Sequence, residues 1–293
     1  MDITQGAQLE FTPPPLKHRG DGIAFKDLFR GEDGAPENYY FSVARQAYFY
    51  SPRHRHNFDQ FRYALRNTVS ICPDMVLAQG ELAYHPEGVH YGPQHDDDGL
   101  DRDVLVLQFG GTSGQGYLSF QQLAQAQEPL KEKGRFEGGK YYANGSDANG
   151  VDGKDGYEAI WEHHHGRPLV YPPPRFDKPI LVKPENFGWK PYPGLGEGVF
   201  YKNLGIFTER ETRVQMVRTD SGSTWRLDAQ NSIQLLYVVR GQGSAMVVRS
   251  EKGSFSQAIQ VESAIRLKPE SESILLSATS EMEILHFVLP MLS

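Results

Sequence analysis

The chain has 293 residues and a net charge of −7, with no concentrated Lys/Arg cluster, so a nucleic-acid partner is not expected. No run approaches the roughly 18 apolar residues of a membrane span, and the opening MDITQGAQLEF lacks the basic start and apolar run of a signal peptide, so a soluble cytoplasmic protein with no membrane partner is expected. Its 30 Gly and 19 Pro disfavour a helical bundle, and the single cysteine, Cys72, excludes an internal disulfide.

In chain order, short aromatic and β-branched runs at 39–50, 60–69, 75–84 and 103–109 predict closely spaced strands. Cys72, before Pro73 in an apolar stretch, reads as a packing residue. Residues 118–133 predict a helix that stops at Gly134, 137–156 a Gly/Asn/Asp-rich loop, and 157–165 a short amphipathic helix. Residues 168–199 are a Pro/Gly-rich crossing segment. Strand patterns resume at 212–219, 232–240, 244–249, 263–268 and 282–289. The two β-rich parts are related: QFRYALRN at 60–67 aligns with QLLYVVRG at 234–241, and GELAYHPEG at 80–88 with SAIRLKPES at 263–271. Both matches occur in the same order, which points to a duplicated β domain.

The chemistry concentrates in RHRHNFDQFRY, residues 53–63. On a strand, His54 and His56 project from one face, where two neutral imidazoles offer adjacent metal positions. The bland alternative is a polar strand face whose histidines are satisfied by neighbours. Arg62, two residues beyond Gln60, is placed either to face a cavity and pair with an anionic substrate or to lie on the surface. His163, His164 and His165 are consecutive on a helix and cannot converge on one ion. Asp96, Asp97 and Asp98, with Asp101 and Asp103, lack calcium-loop spacing and read as a solvated loop. Phosphate loops, serine elbows and paired-cysteine zinc signatures are missing.

Residues 53–63 and GELAYHPEGVHYG at 80–92 resemble the two motifs of the cupin superfamily, Gly-x5-His-x-His-x(3,4)-Glu-x6-Gly and Gly-x5-Pro-x-Gly-x2-His. With the internal repeat, the chain resembles a bicupin of the RmlC-like type. The resemblance implies a mainly β chain: two cupin double-stranded β-helix (jelly-roll) barrels joined by a partly helical, Pro/Gly-rich segment. The implied divisions are 1–111, 112–199 and 200–293. It further implies one divalent metal ion (Fe, Mn, Ni or Zn) in the N-terminal barrel, held by His54, His56, Gln60 in the glutamate position, and His90. Strict register puts the last ligand on Tyr91, and adjacent strand residues face opposite ways, so only one of His90 and Tyr91 points inward unless the register shifts. Tyr91, His90 and Arg62 are the catalytic candidates. In the second barrel the corresponding positions are Asp228, Gln230, Gln234 and Ile274, which implies no metal there and a structural role.

Three functions follow from the resemblance. The first is a metal-dependent enzyme acting on a small organic molecule, an oxygenase or other oxidoreductase. The second is a metal-free isomerase, epimerase or cyclase, with His54 or His56 as base and Tyr91 as acid. The Glu-to-Gln and His-to-Tyr changes favour this one. The third is a non-catalytic binding or storage protein. The aromatics Tyr48, Phe49, Tyr50, Phe58 and Tyr84 are either ligand environment or barrel core. Exposed sheet edges make a homodimer an expectation.

Overall fold

The computed structural model describes residues 1–15, 22–35, 38–145, 153–208, 210–248, 256–269 and 271–290. By contacts the chain separates into two compact units, Glu10–Val182 and a second made of Met1–Leu9 with Lys183–Ser293. The first strand, β1 (Asp2–Gln5), thus lies in the second unit.

The first unit holds β2 (Ile23–Arg30), β3 (Tyr39–Gln46), β4 (Phe49–Ser51), β5 (Phe58–Arg66), β6 (Val69–Cys72), β7 (Met75–Leu77), β8 (Leu82–His85), β9 (Gln94–Asp96) and β10 (Arg102–Gly110). These are followed by α1 (Phe120–Lys133), β11 (Gly134–Glu137), β12 (Lys140–Ala143), β13 (Lys154–Asp155), α2 (Gly156–His165) and β14 (Ile180–Val182). Its main sheet is antiparallel in the order β14-β8-β5-β10-β3-β2. Alternation along these strands gives the sheet one face of small residues, Ala44, Ala64, Ala83, Val104 and Val106. Val69, Ile71 and Leu77 of the β6–β7 hairpin fill the space above it. That second layer turns the sheet into a jelly-roll barrel.

The helices also belong to this unit. Ser119 caps α1 in a reciprocal pair with Gln122, and the Asp155 carboxylate accepts from the amides of Tyr157 and Glu158 at the start of α2. Ile160 and Trp161 of α2 pack with Leu123, Ala126 and Leu130 of α1 and with Phe58 of the barrel. The contact boundary therefore falls at 182/183, inside the segment that the sequence treats as one connection from 112 to 199. The stretch expected as loop at 137–156 carries β12, β13 and the end of β11 in a small antiparallel sheet; its residues 146–152 lie outside the described ones.

The second unit adds β15 (Lys190–Pro191), β16 (Val199–Phe207), β17 (Thr212–Thr219), β18 (Thr224–Leu227), β19 (Gln234–Arg240), β20 (Gln242–Val247), β21 (Ser256–Gln260), β22 (Ser263–Leu267), β23 (Ile274–Ala278) and β24 (Met282–Val288). Its sheets run β1-β22-β19-β24-β17-β16-β15 and β18-β23-β20-β21. Between them sit Val217, Trp225, Leu236, Val238, Ile265, Ile274, Leu276 and Ile284, all buried. The expected strand at 244–249 is β20, and residue 249 lies outside the described ones.

The duplication is visible in the pairing. β5 lies between β8 and β10, as β19 lies between β22 and β24, and the sequences that align are those of β5 with β19 and of β8 with β22. Each main sheet is completed by a short strand from far along the chain, β14 beside β8 and β1 beside β22.

Candidate active site

His54 and His56 precede β5 rather than lying within a regular strand. A backbone bridge anchors them: His54 and Tyr91 exchange N–H to carbonyl bonds of 3.0 and 2.9 Å, and the Gly88 amide donates to the His56 carbonyl at 2.7 Å. Gly88 has φ of +76°, and a side chain there would meet the Pro172 carbonyl, so the second-motif turn requires glycine. The bridge brings the two imidazoles together with ring centres 4.9 Å apart, both buried.

Tyr91, not His90, faces the interior. Its hydroxyl and His56 Nε2 share a 2.8 Å hydrogen bond, and its ring centre lies 4.3 Å from that of His54. His90 is half-buried on the other side, near Arg53 and Arg55, where burial first and those two charges next lower its pKa. Of the proposed metal ligands, His54, His56 and Gln60 lie on buried positions around the barrel interior, whereas His90 is directed away from Tyr91's side.

Strand β5 alternates, with Gln60 and Arg62 facing one way and Asp59 and Phe61 the other. The register sets Gln60 opposite His85 on β8 and Gln108 on β10, and Gln108 Nε2 donates to Gln60 Oε1 at 2.7 Å. His85 is fully enclosed, with its ring centre 4.5 Å from Tyr91. Burial, with the charge of nearby Arg62 as a second cause, drives its pKa well below 6.5, so the ring is neutral. Arg62 lies over Tyr91 at 5.7 Å, so the arginine that the sequence left between cavity and surface is inside.

Sequence reasoning missed His85. It ends the strand before Pro86, and only the β5–β8 register shows that it shares a face with Gln60. Tyr157 is a second residue not anticipated. Carried by the start of α2, it donates to Asn57 Oδ1 at 2.8 Å and stands edge-on to His56 and Phe58 at 5.9 and 5.8 Å. Of the aromatics named from sequence, Phe58 stacks on His56 at 4.3 Å. Tyr48 and Tyr50 are exposed, while Tyr84 bonds to Asp59 on the opposite face of β5.

One other expectation changes. Asp96 is not solvated: it is buried on β9 and pairs with Arg102 at 3.2 Å, while Asp97 and Asp98 are exposed. His163 and His164 are exposed and His165 stacks on Trp161, so the three diverge as their helical spacing predicts. In the second unit Asp228 and Gln230 are exposed, and Ile274 lies in the apolar core. Gln234, the counterpart of Gln60, accepts from His286 Nε2 at 2.9 Å, and Gln215 satisfies His286 Nδ1 at 2.8 Å.

The metal that the sequence resemblance implies meets a changed donor set in the first barrel. There is no carboxylate in the position of Gln60, the Tyr91 hydroxyl already engages His56 Nε2, and the buried Arg62 cation raises the cost of a second positive charge. Among the described residues no three His, Cys, Asp or Glu side chains are grouped to hold a metal. The residues therefore fit a divalent ion poorly.

No family model matches the chain, and no curated protein matches it in sequence. Solved structures do match, and the likeness gives the chain the two-barrel cupin fold. A candidate dioxygenase from Nostoc punctiforme superposes with a TM-score of 0.61 at 11% identity, over 100% of this chain and 83% of that one. HEPD of Streptomyces albus, solved with 2-hydroxyethylphosphonate and Fe(II), gives 0.59 at 11% identity, over 99% and 76%. Oxalate decarboxylase of Bacillus subtilis, a protein with Mn(II) centres, gives 0.56 at 13% identity, over 99% and 78%. These neighbours include metal-dependent enzymes of small-molecule chemistry, and at such identities the likeness to this chain is one of fold.

Proposed function

We propose that the N-terminal barrel is an enzyme site that moves protons on a small organic molecule without a metal ion, as an isomerase, epimerase or cyclase does. The observation that carries this reading is the 2.8 Å hydrogen bond between His56 Nε2 and the Tyr91 hydroxyl, deep in the barrel. A phenol and an imidazole in one hydrogen bond form an acid–base pair. The phenol gives its proton to a developing oxyanion or carbanion, and the imidazole, once it has taken up the proton removed from the substrate, returns one to the phenolate. His85, neutral and 4.5 Å from the Tyr91 ring, is placed to take a proton from the other side. Enclosure by Phe58, Tyr157 and the barrel wall keeps bulk water from quenching the intermediate.

A metal-dependent oxidoreductase is the second reading, and one observation favours it. His54 Nδ1–H donates to the Pro52 carbonyl at 2.6 Å, leaving Nε2 as the ring's acceptor nitrogen, an arrangement common behind metal-bound imidazoles. Iron or manganese, as in two of the structural neighbours, would supply electron-transfer or oxygen chemistry there.

Proton nuclear magnetic resonance in heavy water separates the two. Chelator-treated protein is mixed with a panel of small ketones, aldoses, 2-oxo acids and amino acids, and loss of the signal next to the carbonyl is followed. We expect exchange on at least one member, slowed about a hundredfold or more in Tyr91→Phe. Exchange that appears only when Fe(II) or Mn(II) is added back would sink the metal-free reading and favour a metal-dependent site. No exchange across the panel would overturn the first.

A further inference from the structure

We infer that the N-terminal barrel contains a subsite for a small monocarboxylate, seated on Arg62, Gln60 and His85. The inference rests on reading this barrel as a small-molecule site, and it names the substrate class.

The argument starts from register. Gln60, His85 and Gln108 form one cross-strand row on the inner face of the sheet. Arg62 stands in the next row, with Ala83 and Val106 beside it and Ser42 beyond Val106. Because Gln60 Oε1 is taken by Gln108, the amide nitrogen of Gln60 is left over, and it has no hydrogen-bond partner. Arg62 Nε and Nη1, Ser42 Oγ and both ring nitrogens of His85 also have none. A buried polar group without a partner is destabilising, and most buried groups in a folded protein are paired. Several in two adjacent rows mark a place built for a ligand.

The character of the unmade bonds selects the ligand. Arg62 Nε and Nη1 offer three N–H groups, Gln60 Nε2 two, and Ser42 and His85 one each. The partnerless acceptors nearby are the Ser42 hydroxyl oxygen, one nitrogen of His85 and Oδ2 of Asp96, whose Oδ1 pairs with Arg102 and whose charge also acts on Arg62. Donors outnumber acceptors, and the guanidinium adds a positive charge inside a low-dielectric barrel. An anion is the complement. Arg62 is the one cation in these two rows, flanked by Val106, Ala83 and the Tyr91 ring. That single charge and those flat, apolar walls suit a planar monoanion better than a tetrahedral dianion such as phosphate.

Isothermal titration calorimetry on the full chain tests this with pyruvate, lactate and benzoate, their neutral amides, and inorganic phosphate. At least one carboxylate should bind saturably, with its amide roughly ten- to hundredfold weaker. Arg62→Gln should weaken the carboxylate to a similar extent, with folding checked by circular dichroism. If that variant does not fold, Gln60→Glu sets a like charge against the ligand and should weaken it too. The carboxylate–amide contrast in the unmodified protein needs no variant. Carboxylate and amide binding equally, phosphate binding more tightly than every carboxylate, or no carboxylate binding at all would each overturn the subsite. Carboxylate binding retained in Tyr91→Phe, beside proton exchange that is lost, upholds both proposals. Carboxylate binding with no exchange in any variant sinks the enzyme reading and leaves the subsite standing.

Discussion

Tyr91 and Asp59 show how single residues acquire character from their surroundings. The bridge to His54 fixes the alternation at 90 and 91, which sends the phenol inward and the imidazole of His90 out toward Arg53 and Arg55. Asp59, on the outer face of β5, accepts from the Tyr84 hydroxyl at 3.1 Å and the Glu87 amide at 2.9 Å. Burial nevertheless outweighs these bonds and pushes its pKa up to about 7 from 3.8. The folded state thus keeps a proton that the unfolded chain releases above pH 3.8, so stability falls as pH rises from about 4 to 7, by up to about 1.4 kcal/mol for each pH unit. Asp59→Asn can accept the same two bonds, and we expect its urea midpoint to vary less than wild type's over that window. An equal slope in both proteins would contradict the assignment.

At the scale of elements, edge strands complete each barrel from a distance. β1 pairs with β22 in the register Asp2↔Arg266 to Gln5↔Ser263, reinforced by the Asp2–Arg266 ion pair at 2.7 Å and the Ser263 hydroxyl donating to Gln5 Oε1 at 2.7 Å. Removing residues 2–5 exposes the edge of β22. We expect a melting temperature lower by several degrees and faster amide hydrogen exchange in 263–267, with little change in β5 and β10. α2 has a similar role beside the site, because its Asp155 cap sets the first turn that carries Tyr157. Asp155→Ala should cost about 1 kcal/mol in denaturant unfolding. An unchanged midpoint would show that packing alone holds this helix.

For the whole molecule, the two barrels share a strand plan and differ in what fills them. The second barrel has a large apolar cluster, and its buried His286 is satisfied at both nitrogens by glutamines while burial lowers its pKa to about 3. The unfolded chain binds a proton at that histidine below about pH 6.5 and the folded unit does not, so this group removes stability as pH falls from 6.5 toward 3. Replacing it with Gln should flatten the acid limb of the stability curve. An unaltered limb would place the acid sensitivity elsewhere. In the first barrel Ser42, Gln60, Arg62 and His85 lack the partners that His286 has and cluster in two adjacent rows of one sheet face, and that clustering locates the candidate site.

The sequence by itself determined the strand-rich class, the duplication of β5 in β19, and the pair His54 and His56, because hydrophobic period and motif spacing are local properties. It also placed α1 and α2 within two residues of their observed starts, since capping and breaker residues are read one turn at a time. Tertiary structure decided the rest. Whether His90 or Tyr91 points inward depended on a bridge to a residue 37 positions away. His85 joined the site only through the register of β8 on β5, and Asp96 became buried only when β9 paired with β4. The assignment of residues 1–9 to the second unit likewise rests on pairing across more than 250 residues. Such long-range choices follow from packing and hydrogen-bond completion over the whole fold, which no local window of sequence contains.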